Sequence, residues 1–268
     1  MNRNGILALL LVLLAGAAHA EDYFSPTEER VRLSLGTVYL DSKTTVQIDS
    51  STGVTGTLVN AENDFGMNKD DFEAKFQMML RVGERNRVRF DYFSLDRTGY
   101  TTINKDILFR NVELLPGDPL DSNLSIDVLS ITYEYSFIHN ERFELAATLG
   151  INDTDLSARA RVNTAARHVD QTEDQAGPFP TVGLDGTYVI SKRFYVDARV
   201  EYFKAHVDKL DGSLGFYEVN ALYRLRPNIS FALGYELVKA QLLSEQSSNS
   251  GQFNFTTRGP EVFVRVAF

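Results

Sequence analysis

Apolar and polar residues alternate with a period of two along most of the chain, and this pattern constrains the fold more than any other feature. Between positions 72 and 82 every even position is apolar, while Glu73, Lys75 and Arg81 are among the polar residues at odd positions. Successive side chains of a β-strand point to opposite faces, whereas an amphipathic helix needs apolar residues three and four positions apart. The sequence therefore predicts an all-β protein.

Repeats of this alternation predict about ten strands, with eight or twelve as alternatives. The predicted strands are 31–40, 72–82, 88–95, 126–138, 143–151, 180–190, 194–203, 214–225, 229–237 and 260–268. Short polar turns alternate with longer polar segments, which are 41–71, 98–122, 153–177, 243–252 and the shorter 208–213. This order is typical of bacterial barrels, with short periplasmic turns and long external loops. Two further β-rich stretches, 52–60 and 105–115, are either extra strands or loop hairpins.

The first twenty residues predict a secretory signal peptide. Arg3 precedes an apolar stretch at 6–14, and Ala18-His19-Ala20 provides a cleavage pattern, so that 21–268 is predicted as one barrel domain. The chain has 27 Lys and Arg, 36 Asp and Glu, and no cysteine. This acidic balance argues against nonspecific nucleic-acid binding. The absence of cysteine excludes disulfides and a lipid anchor on cysteine, and with four histidines it argues against a zinc site. No cofactor is predicted.

Three features favour a closed transmembrane barrel in the outer membrane over a soluble barrel. One face of every strand is almost wholly apolar, while the other face carries charges in mid-strand. Aromatic residues collect where the strands meet the short turns, at Phe137, Phe143, Tyr188, Phe194, Tyr223, Phe231 and Phe268. An open sheet would leave backbone groups unpaired in hydrocarbon, so the barrel must close. Outer-membrane lipids and lipopolysaccharide are the expected surroundings.

The C-terminus carries the third feature, a terminal aromatic residue preceded by apolar residues at alternate positions. These residues are Phe268, Val266, Val264 and Val262. The pattern resembles the C-terminal signal that the outer-membrane assembly machinery recognises. We therefore expect this machinery to be a partner of the protein.

Several stretches resemble a family of uncharacterised proteobacterial outer-membrane barrel proteins. They are GTL at 56–58, AENDFGM at 61–67, RVRFDYF at 87–93, RTGY at 97–100, PFPTVGL at 178–184 and GPEVF at 259–263. The resemblance spans most of the chain after the signal peptide. It implies a fold and a location, and it carries no activity that transfers to any residue.

The polar faces of the predicted strands would line the lumen with charges. The candidate lumen residues are Glu73, Lys75, Arg89, Asp91, Glu134, Asp197, Arg199, Glu201, Glu218, Arg224, Glu236 and Arg265. The charged residues Arg81, Arg87, Glu144, Asp185 and Glu261 lie on the same predicted faces. One interpretation is a narrow channel with a weak preference for cations. The favoured interpretation is a lumen largely filled by paired charges, because a barrel of eight to ten strands is little wider than its side chains and buried charges must pair.

Two other functions remain open as alternatives. His168 lies two residues from Asp170 and His206 lies beside Asp208, and such pairs at an external rim can serve as general bases in a hydrolase. They resemble the Asp and His pairs of surface-protease barrels, but the order of the two residues in the sequence and their surroundings differ. The favoured interpretation is therefore that both histidines are solvated, and no catalytic residue is predicted. Alternatively, the long loops bind a ligand such as lipopolysaccharide.

One acidic loop is a candidate binding site for a divalent cation. Its residues are Glu62, Asp64, Asp70 and Asp71. They lack the spacing of a calcium-binding loop. No metal site is therefore predicted.

Overall fold

A computed structural model describes residues 25–50, 52–163, 168–207, 210–246 and 249–268. The predicted signal peptide lies outside this part of the chain. The described strands are β1 Val31–Ile48, β2 Val59–Asn60, β3 Asp70–Val82, β4 Asn86–Thr102, β5 Ile107–Phe109, β6 Val112–Leu114, β7 Pro119–His139, β8 Phe143–Asn163, β9 His168–Val189, β10 Phe194–Val207, β11 Leu210–Arg226, β12 Ile229–Gln246 and β13 Asn249–Ala267. One helical turn, α1, spans Ala61–Asp64.

Ten of these strands form a closed antiparallel barrel, which confirms the predicted fold class. The order around the barrel is β1, β3, β4 and then β7 to β13. The last strand pairs with the first along almost its whole length, from Arg32 opposite Ala267 to Ile48 opposite Gly251. Closure satisfies the backbone groups that an open edge would leave unpaired.

One end of the barrel, which we call the turn end, holds Ser25, where the described residues begin, the C-terminal Phe268 and the short turns. The short connections are 83–85, 140–142, 190–193 and 227–228. The amide of Phe268 donates to the carbonyl of Val31 at 2.9 Å and closes the seam between β13 and β1 there. The opposite end, called the external end, carries the remaining connections. This alternation agrees with the sequence prediction.

The strands extend further than predicted at the external end. Segment 153–177, predicted as a long polar connection, is a paired ribbon of β8 and β9 in which Thr154 lies opposite Gly177. Segment 243–252 likewise belongs mostly to β12 and β13. In the β8 extension the outward face is polar, as at Asp155 and Ser157, whereas Leu156, Ala160 and Val162 on the inward face pack in or against the apolar core. The alternation therefore continues with its polar and apolar faces exchanged.

The two β-rich stretches that the sequence left undecided do not add strands to the barrel wall. Residues 105–115 contain the β5–β6 hairpin, and residues 52–60 end in the short strand β2. These segments pack with α1 and the upper strands into an apolar core of fully or nearly fully buried side chains. Its members include Val38, Leu40, Val59, Ala61, Phe65, Met67, Leu95, Ile103, Ile107, Leu114, Leu120, Leu124, Val162 and Phe255.

Inward and outward residues differ sharply in chemistry over the lower half of the wall. On β12 the outward positions are apolar and exposed, among them Phe231, Leu233 and Tyr235, whereas inward Ser230 and Glu236 are buried. The aromatic residues predicted to form a girdle lie on this outward face near the turn end, where Phe194 and Tyr223 are 4.9 Å apart between ring centroids.

No helix within the described residues is long and apolar enough to span a membrane.

Candidate functional site in the barrel interior

The barrel interior is the candidate functional site, because its buried side chains are mostly charged. The inward positions of β3 and β4 supply Lys75, Arg81, Arg87, Arg89 and Asp91. Alternation places these side chains inside whenever the apolar neighbours face outward. The charges form ion pairs across the lumen at three levels.

At the turn end, Glu144 binds two arginines from neighbouring strands. Its carboxylate is fully buried and accepts from Arg81 at 2.7 and 2.8 Å and from Arg87 at 2.9 Å. The hydroxyl of Ser136 donates to it at 2.6 Å, and Nδ1 of His139 lies 3.2 Å away. Bidentate arginine pairing of this kind compensates for desolvation of the carboxylate.

The segment 25–30, which precedes β1, lies across the turn end. The Glu29 carboxylate accepts from Arg32 at 2.8 Å and from Arg224 of β11 at 2.8 Å. The Nε of Arg81 donates to the Glu29 carbonyl at 3.1 Å, and Ser25 Oγ donates to the Glu141 carbonyl at 2.6 Å. These contacts reach three separated parts of the wall, so the segment covers the turn-end opening.

The middle of the barrel holds a second group of pairs centred on two arginines. Arg89 binds Asp91 at 2.8 Å and also contacts Glu134 and Glu201. Arg199 binds Asp91 at 3.3 Å and also contacts Glu218. The partners come from β4, β7, β10 and β11, so the pairs connect opposite sides of the wall.

Two further pairs link this middle level to its surroundings. Arg87 reaches Asp185 of β9 at 2.7 Å. Arg265 binds Asp197 at 2.5 Å, which ties β13 to β10.

A single ammonium group holds three carboxylates at the third level. Nζ of Lys75 lies 3.1 Å from Glu218, 2.6 Å from Glu236 and 2.8 Å from Glu261. The carboxylate oxygens lie within 4.8 Å of one another, as the ligands of a metal ion would. The lysine ammonium already occupies the position between them, so the group is an ion-pair cluster.

Gly234 makes room for this cluster on β12. A Cβ at Gly234 would lie 1.7 Å from the Asn220 amide oxygen and 2.9 Å from the Glu261 carboxylate. Any side chain there would displace the buried Asn220. The glycine is thus required by close approach inside the barrel.

Above the charges, Arg97 joins the wall to the segments that cover the external mouth. Its guanidinium donates to Glu62 at 2.8 Å, to Thr44 Oγ1 at 2.9 Å and to the carbonyl of Asn68 at 2.9 Å. Arg97 is buried beside the apolar core.

The acidic loop residues do not converge on a common point. Glu62 pairs with Arg97, whereas Asp64 pairs with Lys105 at 2.8 Å. Asp70 lies opposite Asp41 on the barrel wall. Asp71 lies opposite Leu40, so the four acidic residues lie in different surroundings, and only Glu62 and Asp64 have the cationic partners described here.

Small cavities remain between the charged levels. One of roughly 30 Å³ is lined by residues that include Gln77, Met79, Arg89 and Asn220. Another of roughly 10 Å³ lies near Ser34 and Lys75. A buried water needs about 10–15 Å³ measured this way, so the larger cavity accommodates about two waters and the smaller one at most one.

The structure places the candidate lumen residues on the inward face, most of them buried in these pairs. Glu73 is only half-buried, two residues from Lys75 on β3. Sequence reasoning missed Glu29, Arg32 and Arg97. Arg32 and Arg97 continue the inward alternation of β1 and β4, so the periodic pattern could have identified them as lumen residues. Glu29 precedes the first strand, where no periodic pattern indicates which way its side chain points.

The two candidate catalytic histidines lie on exposed external ribbons. Nδ1 of His206 lies 2.5 Å from a carboxylate oxygen of Asp211, the residue opposite it on β11, and both side chains are exposed. Asp208 lies outside the described residues. His168 is exposed at the start of β9, and Asp170 binds Arg159 instead, at 2.9 Å.

The Asp170 pair gives a testable pH dependence. Hydrogen bonds and charge from Arg159, helped by Arg161, lower the pKa of Asp170 to about 2. A lowered pKa means that the pair stabilises the external ribbon at pH values above about 4 and is lost as pH falls through about 2.

We expect Arg159→Ala to raise the Asp170 pKa towards about 4, as followed by carboxyl chemical shift in a pH titration. Arg161→Ala is the control, with a smaller shift expected because its guanidinium is 3.3 Å away. Equal shifts in the two variants would contradict this assignment.

The C-terminal residues lie along the seam of the barrel. Val262, Val264 and Phe268 are exposed on the outward face of β13, and Val266 is half-exposed there. The carbonyl of Phe268 accepts from the amides of Arg30 and Val31 at 2.7 and 3.1 Å.

Comparison with solved structures supports the assignment of the fold. The outer membrane protease OmpT from Escherichia coli aligns with a TM-score of 0.57 and 10% identity over 93% of this chain and 99% of that one. The transport unit of the autotransporter AIDA-I from Escherichia coli aligns at 0.43, with 7% identity over 96% and 97%. OprG from Pseudomonas aeruginosa aligns at 0.39, with 10% identity over 92% and 98%. Only the first likeness is strong enough to support an argument.

No protein-family model matches the chain, and no curated protein matches it significantly. At these identities the structural likeness concerns the fold alone. The fold is that of a bacterial outer-membrane β-barrel protein.

Proposed function

We propose that the protein is an integral outer-membrane barrel with a structural role, exported through a cleaved signal peptide, whose lumen is closed to ions and solutes. The observation that carries this proposal is the stacking of three obstructions along the barrel axis. Segment 25–30 covers the turn end, ion pairs fill the middle, and the apolar core covers the external mouth. Membership of an uncharacterised proteobacterial barrel family is part of the same proposal.

The energetics of the middle level support a closed state over a gated one. An ion that crossed it would have to separate pairs such as Arg89 with Glu134, both almost fully buried. Removing one partner of a buried pair costs about 3–5 kcal/mol, and several pairs lie in series. Thermal fluctuations therefore open this path rarely.

Cysteine accessibility tests the proposal, because the chain has no cysteine of its own. Ser34 is buried on the inward face of β1 beside the smaller cavity. We expect Ser34→Cys in proteoliposomes to resist a charged, membrane-impermeant maleimide until the protein is unfolded. Ala176→Cys, on an exposed external ribbon, is the control and should react at once. Equally fast labelling of both variants would refute a closed lumen.

Hydrolysis at the external rim is the second candidate, and the close pair of His206 with Asp211 favours it. Both side chains are exposed on the outer wall, where water screens the pair. We expect the double variant His168→Ala and His206→Ala to leave lipid and peptide turnover by isolated membranes unchanged. Loss of a measurable turnover in the double variant would support the hydrolase instead.

A further inference from the structure

Three basic side chains form a compact patch on the outward face of β1, β12 and β13. Lys43 lies opposite Thr256, and Thr256 lies opposite Lys239 on the next strand. Arg258 follows Thr256 by two residues and shares its face. Such diagonal neighbours lie about 7–8 Å apart. We call Lys43, Lys239 and Arg258 the basic patch.

The patch lies where the apolar band of the barrel ends. On β12 the outward apolar residues run from Ile229 to Leu237, and the next outward residue is Lys239. These nine residues match the 9–11 that a strand needs to cross the hydrocarbon core. Tyr39 and Tyr235 are exposed just below the patch, as aromatic residues are at membrane interfaces. The basic patch is therefore at the headgroup level of the external leaflet.

The carboxylates near the patch do not neutralise it. Asp41 lies 3.8 Å from Arg258 and 3.3 Å from Lys69, and these cations remain 60% and 63% exposed. With Asp70 opposite Asp41, the described residues of this surface include four cations, Lys43, Lys69, Lys239 and Arg258, and two carboxylates. The excess positive charge stays available to an external anion.

The opposite side of the barrel carries the reverse charge at the same level. The first polar outward residues of β4, β7 and β8 include Asp96, Asp127, Asp153 and Asp155, and Asp127 lies directly opposite Asp155. If the outward polar residues at this level served only to contact water, cations and carboxylates would not have to lie on opposite sides of the barrel. The asymmetry indicates that the basic side faces a specific anionic group.

We propose that the basic patch binds the phosphate groups of the phosphorylated glycolipid of the outer leaflet, lipopolysaccharide. Lysine and arginine at this spacing can hold one phosphate from several sides, and the Thr256 hydroxyl can donate a further hydrogen bond. The polar outward residues above the patch, such as Asn254, suit the sugar portion. This inference rests on the membrane placement of the barrel and is independent of whether its lumen is closed.

The test is binding of lipopolysaccharide to the folded, delipidated protein in detergent, followed by native mass spectrometry. The triple variant Lys43→Gln, Lys239→Gln and Arg258→Gln should bind about a hundredfold more weakly than the unaltered chain. The matched control, Arg85→Gln, Arg142→Gln and Arg226→Gln, removes the same charge from exposed positions at the turn end and should bind normally. Heat-modifiable gel mobility verifies that each variant is folded.

Two further probes identify the source of the phosphate. Dephosphorylated glycolipid should bind to the unaltered chain as weakly as the intact lipid binds to the triple variant. Inorganic phosphate should compete poorly with lipopolysaccharide for the unaltered chain. Undiminished binding by the triple variant, an equal loss in the control, or full binding of the dephosphorylated lipid would overturn the proposal. None of these outcomes depends on conductance, so the result is separable from the proposed function.

Discussion

Replacing Glu144 with alanine should destabilise the barrel by about 3–5 kcal/mol, the range for breaking a buried ion pair. Glu144 is fully buried and binds Arg81 and Arg87. The substitution leaves both guanidinium groups without their shared carboxylate in a part of the barrel that water reaches poorly. Arg87 keeps its pair with Asp185, so the uncompensated charge of Arg81, more than the lost contacts, causes the expected loss.

The measurement is the free energy of unfolding in urea for the protein refolded into lipid vesicles. Unfolding is followed by circular dichroism, because the chain has no tryptophan for fluorescence detection. Glu84→Ala is the control, because Glu84 is exposed in the turn between β3 and β4 and its removal should cost little. A loss below about 1 kcal/mol for Glu144→Ala would mean that water solvates this part of the lumen, as in an open pore.

Replacing Phe268 with alanine should lower the amount of folded protein in the outer membrane several-fold. The terminal aromatic ring is the main element of the proposed signal for the assembly machinery. The backbone of Phe268 already pairs with Val31 at the seam, and the substitution keeps those hydrogen bonds. The expected effect therefore concerns recognition before folding.

Phe231→Ala is the matched control for this prediction. Phe231 is 46% exposed on the same outward face and Phe268 is 43% exposed, so both substitutions remove a similar apolar surface. Membrane yield should fall for Phe268→Ala only, while both variants refold equally into vesicles without the machinery. Equal yields of the two variants in cells would remove the proposed role of the C-terminus.

The sequence predicted the barrel well because its lipid-facing half obeys a simple rule. Wherever a strand alternates between hydrocarbon and the lumen, as β12 does from Ile229 to Leu237, the chemistry of successive residues reveals the strand and its faces. The inward direction of Lys75 and Glu218 followed from the same rule. Which charges pair did not follow, because pairing depends on contacts across the lumen between strands distant in sequence.

The external end was harder to predict for the same physical reason. The β8 extension alternates with its faces exchanged, because Leu156, Ala160 and Val162 lie on the inward side and charged residues lie on the outward side. The many charged residues and the change of face make this segment resemble a polar loop. The apolar core under the mouth joins Val59, Phe65 and Ile107 from segments that are not periodic. Their burial depends on how two connections fold over the barrel, which local patterns do not encode.

The most direct test of a closed lumen is the electrical current through the refolded mature protein in a planar bilayer. Heat-modifiable mobility confirms that the protein is folded, and a porin added to the same membrane confirms that channels are detected. We predict no discrete conductance steps from this protein while the porin gives its usual steps. Reproducible steps from the folded chain would show that ions pass the Arg89 and Lys75 levels, and would contradict the closed barrel.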